Sequence, residues 1–454
     1  MNIRHAIVES PQQRQPKFLQ VSFNQDESCF SCATKEGFAV FNTDPLTCKL
    51  VKKFNEANSG IGYTRMLYRT NYTALVGGGK RPRYPLNKLI IWDDLQKRES
   101  AVLKFMSPVK QVYLSRIYIV VVLENSIEVF QFQPSPIRIC PSLDIAPNGP
   151  VDFVVCQTRK QRRGSTDSDS GKLIPLNGML AFSSSRSVGQ VHIADLSKLK
   201  HNEQNPLETQ LLPTSIIKAH KSAIRMIRLN NQGTMVATCS VQGTLIRIFS
   251  TLNGSLIREF RRGLDRADIY EMAFSPRGTK LAVISDKQTL HIFQVLTYLN
   301  ENIINNTISC HKSNGQNNEI PDYGNNKIHP LRNIVPQVWK PKYVYSIWSM
   351  CSIHLKNPLV RDIGNVPDND PEFSKDRCKI GWCRENTFND NKNAVLIDSD
   401  GDDGLVLVWQ NRGIWEKYVI LEKERSHYSA NETLKDDTTV TKGWEIVRES
   451  WREI

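Results

Sequence analysis

Short runs of alternating apolar and polar residues occupy most of the chain, and polar turns separate them. Three stretches share one order of strand, polar turn, strand, short turn and strand: SFNQDESCFSCATKEGFAVFNT from Ser22, RLNNQGTMVATCSVQGTLIRIFST from Arg228 and AFSPRGTKLAVISDKQTLHIFQV from Ala273. Alternation with a period of two is typical of β-strands with one buried face, and no stretch has the spacing of a long amphipathic helix. The pattern predicts an all-β protein.

The strand pattern repeats along the sequence. Leu229 and Phe274 stand at equivalent places, 45 positions apart, and weaker copies include residues around Thr73, Ile117 and Asn391. A repeat of about 40 to 45 residues with four short antiparallel strands is the signature of a propeller blade. Counting the repeats predicts a seven-bladed β-propeller of four-stranded antiparallel blades, which we expect near residues 17–55, 61–106, 109–147, 151–219, 221–262, 268–355 and 377–422.

Two inserts and two terminal segments fall outside this pattern. The polar residues 158–171 contain no apolar side chain, which predicts a disordered loop. Residues 296–342 form a longer insert, rich in asparagine and interrupted by proline. We therefore expect an N-terminal segment over 1–16, a propeller over 17–422 and a charged C-terminal tail over 423–454.

Positive charge is concentrated in one part of the chain. The 454 residues contain 59 Lys and Arg and 46 Asp and Glu, a formal net charge of +13. Residues 216–291 hold twelve of these cations and five of the acids, so they contribute +7 of that excess. An anionic partner is expected, and both nucleic acid and an anionic membrane fit this charge.

Several functional classes find little support in the sequence. The polar N-terminus does not resemble a signal peptide, and the longest apolar run, Ile117 to Leu123, is too short to cross a bilayer, so we expect a soluble intracellular protein. A lone Cys29-x-x-Cys32 motif lacks the second pair typical of zinc sites. Asp398 to Gly404 departs from a calcium loop, and no catalytic arrangement can be assembled. We predict no enzyme activity, no metal and no cofactor.

Two consecutive arginines end one predicted strand in the sequence FRRG, Phe260 to Gly263. Successive side chains of an extended backbone point to opposite sides, so Arg261 and Arg262 cannot serve one pocket. A shift of 45 positions places Ser240 on Ser285 and also aligns Thr244 with Thr289, with Arg247 and His291 nearby. Arginine, hydroxyl and imidazole groups bind phosphate through charge-assisted hydrogen bonds, which predicts two phosphate pockets. The alternative is an exposed strand end with ordinary turn residues.

FRRG followed by DIYEMAFSPRGTKLAVISDKQTLHIF resembles the PROPPIN family of phosphoinositide-binding β-propellers. LVGGGKRPRYPLNKLIIWDD, Leu75 to Asp94, is similar to the second blade of that family, and the resemblance covers residues 17–420. It implies a peripheral membrane protein that binds phosphatidylinositol 3-phosphate and phosphatidylinositol 3,5-bisphosphate at two sites. It also implies an effector role in autophagy, closest to the fungal nucleophagy branch. Autophagy proteins would be its partners, at vacuolar, endosomal and preautophagosomal membranes.

The resemblance assigns residues to two lipid headgroup sites. The first site would contain His220, Ser240, Thr244, Arg247 and Arg261. The second would contain Arg262, Ser285, Thr289 and His291. Charge and position add Lys221, Arg266 and Lys287 as further contacts.

The second insert carries a candidate membrane anchor. Its segment HPLRNIVPQVWKPK, His329 to Lys342, places cations beside the apolar residues Leu331, Ile334, Val335, Val338 and Trp339. Apolar groups flanked by cations are typical of interfacial anchors, and PROPPINs insert a loop of this blade into the bilayer. The alternative is that these residues pack on the propeller.

Two other binding functions compete with lipid binding. As a protein-interaction scaffold, the propeller would bind acidic peptides at its basic edge. Nucleic-acid binding is disfavoured because the basic region lacks interleaved aromatic residues and no helix is available to enter a groove. We expect a monomer in solution.

Overall fold

The computed structural model describes residues 17–54, 57–157, 176–198, 213, 215–295, 325–327, 346–356, 376–383, 402–425 and 441–454. The predicted N-terminal segment and the first insert lie outside these residues. The same holds for the second insert apart from residues 325–327.

Seven antiparallel sheets follow one another along the chain, which confirms the predicted seven-bladed β-propeller. The first blade comprises β1 Gln20–Phe23, β2 Cys29–Thr34, β3 Gly37–Asn42 and β4 Thr47–Lys53. The second comprises β5 Ile61–Met66, β6 Tyr72–Gly77, β7 Lys88–Asp93 and β8 Arg98–Lys104. The third comprises β9 Gln111–Leu114, β10 Tyr118–Val122, β11 Ser126–Gln131 and the short strands β12 Ile137–Arg138 and β13 Leu143–Asp144.

The outer strand of the third blade is divided, because both β12 and β13 pair with β11. Pro141 lies between them and has no backbone N–H to donate to a ladder. The blade therefore keeps four strand positions although its sheet contains five strands.

The next three blades carry the basic part of the chain. The fourth comprises β14 Val151–Gln157, β15 Leu176–Ser183, β16 Gln190–Asp195 and β17 Ser215–Lys218, with a 3₁₀ helix at Leu196–Lys198. The fifth comprises β18 Ile224–Leu229, β19 Met235–Ser240, β20 Leu245–Ser250 and β21 Leu256–Arg261. The sixth comprises β22 Ile269–Phe274, β23 Lys280–Ser285, β24 Thr289–Gln294 and β25 Cys351–His354.

The seventh blade differs from the sequence-based expectation. It comprises β26 Cys378–Cys383, β27 Gly404–Trp409, β28 Ile414–Arg425 and β29 Thr441–Glu453. The segment over 441–453, predicted as part of a tail, pairs with β28 as the outer strand, so the boundary at residue 422 is too early. Alternation in TKGWEIVRESWRE buries Ile446 and half-buries Trp444, which the charge of this segment concealed.

Apolar side chains from facing sheets form the core between neighbouring blades. In β19, Val236 packs toward blade four, whereas Ala237 and Cys239 pack toward blade six. Phe260 of β21 stacks on Phe293 of β24, with ring centroids 4.9 Å apart. Because both faces of a blade are covered, its middle strands are apolar nearly throughout, as the short buried runs in the sequence predict.

A chain of buried ion pairs connects the innermost strands of blades four to seven. Asp152 of β14 lies 3.4 Å from Arg228 of β18, which also pairs with Glu271 of β22, and Lys379 of β26 pairs with the second oxygen of Glu271. The charges alternate in sign and line a central cavity of about 530 Å³. Burial raises the pKa of Glu271, but Arg228 and Lys379 outweigh it and hold that pKa below its usual value.

The ring closes without exchanging a strand between its ends. Blade one uses only N-terminal strands and blade seven only C-terminal ones. The N–H groups of Lys17 and Phe18 donate to carbonyls of the turn after β27, at 2.8 and 3.1 Å. Glu27 accepts a hydrogen bond from the backbone N–H of Trp382 at 2.5 Å. Hydrogen bonds and side-chain packing therefore hold the first blade against the last.

Replacing Arg228 with methionine should destabilise the fold. The substitution leaves Asp152 buried without its cationic partner and Glu271 with only Lys379, and breaking a buried ion pair costs about 3–5 kcal/mol. The free energy of unfolding in urea measures this loss. Lys53→Met is the control, since Lys53 pairs with Glu36 at 2.9 Å on the surface and should change stability by less than about 1 kcal/mol. A similarly small change for Arg228→Met would contradict a structural role for the chain of ion pairs.

Candidate functional site

The candidate site lies at one edge of blades five and six. Ile224 pairs with Ser240 and Leu245 pairs with Arg261, so the start of β18, the end of β19, the start of β20 and the end of β21 meet there. The connection over 262–268 leaves blade five at the same edge. Blade six repeats this arrangement, with Ile269 opposite Ser285.

The turns after β19 and β23 have the same geometry, 45 positions apart. Ser240 Oγ accepts the backbone N–H of Gln242 at 3.4 Å, and Ser285 Oγ accepts that of Lys287 at 3.3 Å. Gly243 and Gln288 both have positive φ, +62° and +54°. Because each serine oxygen accepts a bond, its hydroxyl hydrogen is left to donate to a ligand.

Arg261 and Arg262 lie on opposite faces of blade five, as strand geometry predicts. Arg261 lies opposite Leu245 and shares its face with Arg247 and Glu259, the face that packs toward blade four. Phe260 packs toward blade six, and Arg262 follows it on that side. The backbone therefore starts the two side chains on opposite faces of the blade.

The first group of predicted residues gathers around Arg247. Its Nη1 donates to the carbonyl oxygen of Ala219 at 2.7 Å, and its Nε pairs with Glu259 at 2.7 Å. His220 Nε2 lies 3.0 Å from the hydroxyl of Thr238, the cross-strand neighbour of Arg247. Burial, reinforced by Arg247, lowers the pKa of His220 to about 4. Ser240 is buried on the same face and Thr244 is half-buried at the edge.

Arg261 is connected to the far end of the second insert. Its Nε donates to Ser346 Oγ at 2.9 Å, and its backbone N–H donates to the carbonyl oxygen of Ile347 at 2.8 Å. Ser346 is the first described residue after the candidate anchor segment. The residues Leu331, Ile334, Val335, Val338 and Trp339 lie outside the described residues.

The second group of predicted residues gathers around Arg262, which is only 7% exposed. Its Nε donates to the carbonyl oxygen of Gly243 at 2.8 Å, and Nη2 donates to that of Asp265 at 2.5 Å. Burial lowers the pKa of His291 to about 4, and the charge of Arg262 adds to this effect. Ser285 is buried near the end of β23, and Thr289 Oγ1 donates to the carbonyl oxygen of Lys287 at 3.2 Å.

The three additional cations lie on the surface of the same turns. Lys221, Arg266 and Lys287 are all exposed. Arg266 lines a second cavity together with Arg225, Asp268 and other residues, and Arg225 pairs with Asp268 there. The three surface cations therefore lie on the turns and connections of the edge that carries the candidate site.

Sequence reasoning missed three hydroxyl groups that contact the predicted residues. Thr238 lies beside His220, Ser349 Oγ lies 3.2 Å from His291 Nδ1, and Ser346 accepts from Arg261. Thr238 aligns with Val283 under the 45-position shift, so the repeat conceals it. The two serines follow the long insert, where the repeat provides no register.

The chemistry of both groups suits an anion. Each combines a guanidinium with a hydroxyl and an imidazole nitrogen, and all of these can donate hydrogen bonds to oxygen. In the described part of the chain, no three His, Cys, Asp or Glu are placed to hold a metal ion. Cys29 and Cys32 belong to different apolar clusters on opposite faces of β2, so the Cys-x-x-Cys motif forms no site.

Fold and site together define a β-propeller with two cationic groups at the edge of adjacent blades. A family model described as PROPPIN matches residues 174–310. The chain is 56% identical to SVP1-like protein 2 of Saccharomyces cerevisiae and 52% identical to that of Candida glabrata, with full coverage of both chains in each case. The protein belongs to the PROPPIN family, whose members are phosphoinositide-binding propellers related to autophagy.

Solved structures agree with this membership. Hsv2 of Kluyveromyces lactis, with complete loop 6CD, is 29% identical and superposes with a TM-score of 0.60, covering 97% of this chain and 99% of that one. A complex of KlAtg21 with the coiled coil of AgAtg16 gives a TM-score of 0.55 over 97% of this chain and 99% of that one. At 18% identity this likeness shows the fold alone. No helix among the described residues is long and apolar enough to span a bilayer.

The two half-buried histidines should make the fold sensitive to acid. An unfolded histidine has a pKa near 6.5, whereas His220 and His291 titrate near 4 in the fold. Between these values the unfolded chain binds more protons, so stability falls as the pH is lowered. On acidification each histidine lowers the free energy of unfolding by up to about 3 kcal/mol. Replacing both with glutamine should remove this decrease, which urea unfolding from pH 7 to pH 4 measures.

Leu252→Gln provides the control for this experiment, since Leu252 is exposed and has no titratable group, so the pH dependence should not change. A pH profile for the double variant that parallels the wild type would contradict the lowered pKa values of the two imidazoles.

Proposed function

We propose that the protein is a peripheral membrane protein that binds phosphatidylinositol 3-phosphate and phosphatidylinositol 3,5-bisphosphate through two headgroup sites. The observation that carries the proposal is the position of Arg261 and Arg262 on opposite faces of one strand end. Arg261 would serve the hydroxyl and imidazole groups of the first site, and Arg262 would serve those of the second. Membership of a phosphoinositide-binding family supports the same ligand class.

The guanidinium and imidazole donors of the two groups would recognise the phosphate groups. Arg247 and Arg262 already donate to backbone carbonyls, so their side chains are held in place before a ligand arrives. A phosphate dianion near His220 or His291 would favour the protonated imidazole and would add a charge-assisted hydrogen bond. Binding would then take up protons, and headgroup affinity would rise as the pH falls.

Two sites on one edge suit binding to a membrane better than binding to a free inositol phosphate. When one headgroup is captured, the second site is confined to the same bilayer and meets further lipids at a high effective concentration. Weak contacts with single headgroups therefore combine into firm attachment. The blades are held in fixed relation by the ion pairs that Arg228 makes with Asp152 and Glu271.

The second insert would provide a third contact with the membrane. Its candidate anchor segment, 329–342, ends four residues before Ser346, which is hydrogen-bonded to Arg261. An apolar anchor starting from this point would enter the bilayer next to the first headgroup site. Tryptophan and flanking cations favour the headgroup boundary.

Membership of an autophagy-related family supports the cellular part of the proposal. We place the protein at vacuolar, endosomal and preautophagosomal membranes as an effector in autophagy, with micronucleophagy as the favoured process. Proteins of the autophagy machinery would be its partners. Seven closed blades give a rigid scaffold whose remaining edges are available to such partners while the edge of blades five and six contacts the lipid.

Replacing both arginines with threonine should abolish binding to lipid vesicles. The Arg261→Thr, Arg262→Thr double variant removes one guanidinium from each proposed site. Flotation with vesicles containing each phosphoinositide in turn measures the result. We expect recovery with phosphatidylinositol 3-phosphate and phosphatidylinositol 3,5-bisphosphate to fall at least about tenfold, since each charge-assisted pair contributes about 1.5–3 kcal/mol.

Arg277→Thr is the matched control, because Arg277 is exposed at the opposite edge of blade six. It should leave flotation unchanged. Undiminished flotation of the double variant would overturn the proposal. If the wild type binds acidic peptides through the same arginines but does not bind vesicles, the protein is a protein-interaction scaffold instead.

A further inference from the structure

Two large apolar side chains are exposed at the edge that carries the headgroup sites. Leu264 directly follows the FRRG sequence and is 60% exposed, and Val188 lies in the turn between β15 and β16 and is 73% exposed. The turn with Val188 leaves blade four at the same edge at which the connection over 262–268 leaves blade five. Neither residue packs into the core clusters of the propeller.

Hydrogen bonds hold both apolar residues next to the headgroup sites. Gly189, adjacent to Val188, accepts the backbone N–H groups of Ala219 and His220 at 3.0 and 3.1 Å. This places Val188 beside the first site.

The connection that carries Leu264 is fixed in the same way. Arg262 donates through its backbone N–H to Thr244 at 2.9 Å, and Ala267 donates to Gln242 at 3.1 Å. A Cβ at Gly243 would lie 1.9 Å from the carbonyl oxygen of Ala267, so only glycine allows this close approach. Leu264 is therefore presented by an anchored loop between the two sites.

Exposed cations surround the two apolar residues. Arg186, Lys221, Arg266 and Lys287 all lie on the turns and connections of this edge. An anionic bilayer matches both the apolar residues and the cations. Its phosphates attract the cations, and its acyl boundary accepts the apolar side chains.

We infer that Leu264 and Val188 enter the bilayer interface when the headgroup sites are occupied and form an apolar contact separate from the anchor in the second insert. The inference rests on the proposed function, because the headgroup sites bring this edge to the membrane. Burial of these side chains would strengthen vesicle binding without contributing to recognition of the headgroup itself. The affinity for a membrane and the affinity for a soluble headgroup should then respond differently to substitution.

The test compares full-length variants in two measurements. Leu264→Ser and Val188→Ser are each assayed for partition onto phosphatidylcholine vesicles containing phosphatidylinositol 3-phosphate, and for calorimetric binding of inositol 1,3-bisphosphate, the soluble headgroup. Burying one leucine side chain predicts a loss of vesicle affinity of about tenfold for Leu264→Ser, with unchanged headgroup affinity. Leu252→Ser is the matched control, since Leu252 is 61% exposed at the opposite edge of blade five. It should change neither value.

Equal vesicle partition for the wild type and both variants would overturn the inference. A parallel loss of headgroup affinity would also overturn it, because the two residues would then act through the headgroup sites. A third result separates this inference from the proposed function: the wild type binds no soluble headgroup but binds phosphatidylserine vesicles, and Leu264→Ser weakens that binding. This result would contradict the lipid class proposed above and would support the apolar contact.

Discussion

Alternation of side chains along an extended strand is the constraint on which the site depends. Arg261 ends β21 opposite Leu245 of β20, on the face shared with Arg247 and Glu259. Because neighbouring side chains of an extended backbone point to opposite faces, Arg262 starts from the other face, where it donates to the carbonyl oxygens of Gly243 and Asp265. A residue inserted or deleted before Phe260 would exchange the two faces and would place a guanidinium against the apolar contact with blade six.

The propeller holds the two proposed sites in a constant relation. The ion pairs among Asp152, Arg228, Glu271 and Lys379 connect the innermost strands of blades four to seven, and the stacking of Phe260 on Phe293 packs blade five against blade six immediately beside the arginines. Buried charges of alternating sign resist relative displacement, because moving one blade would leave a charge without its partner. A rigid edge can meet a flat membrane with both sites and with the exposed Leu264 at once.

Local alternation and the 45-position repeat were sufficient to predict the all-β class, the number of blades and the alternation of faces along β21. The repeat also predicted that Ser240 and Ser285 occupy the same turn. It could not predict Thr238 beside His220, because the equivalent position in blade six is Val283, and it could not predict Ser346 beside Arg261, because Ser346 follows a long insert where the repeat gives no register. The strand over 441–453 was missed because charged residues dominate its sequence. They alternate with the apolar residues that pack into blade seven.

The central claim is that two separate headgroup sites exist, one for each arginine. Isothermal titration with inositol 1,3-bisphosphate tests it most directly when the wild type is compared with Arg261→Thr and with Arg262→Thr. We expect two equivalents to bind to the wild-type chain and one equivalent to bind to each single variant, the remaining site being unaffected. One equivalent on the wild-type chain, lost in both single variants, would show that the two arginines hold one ligand together and would contradict the account.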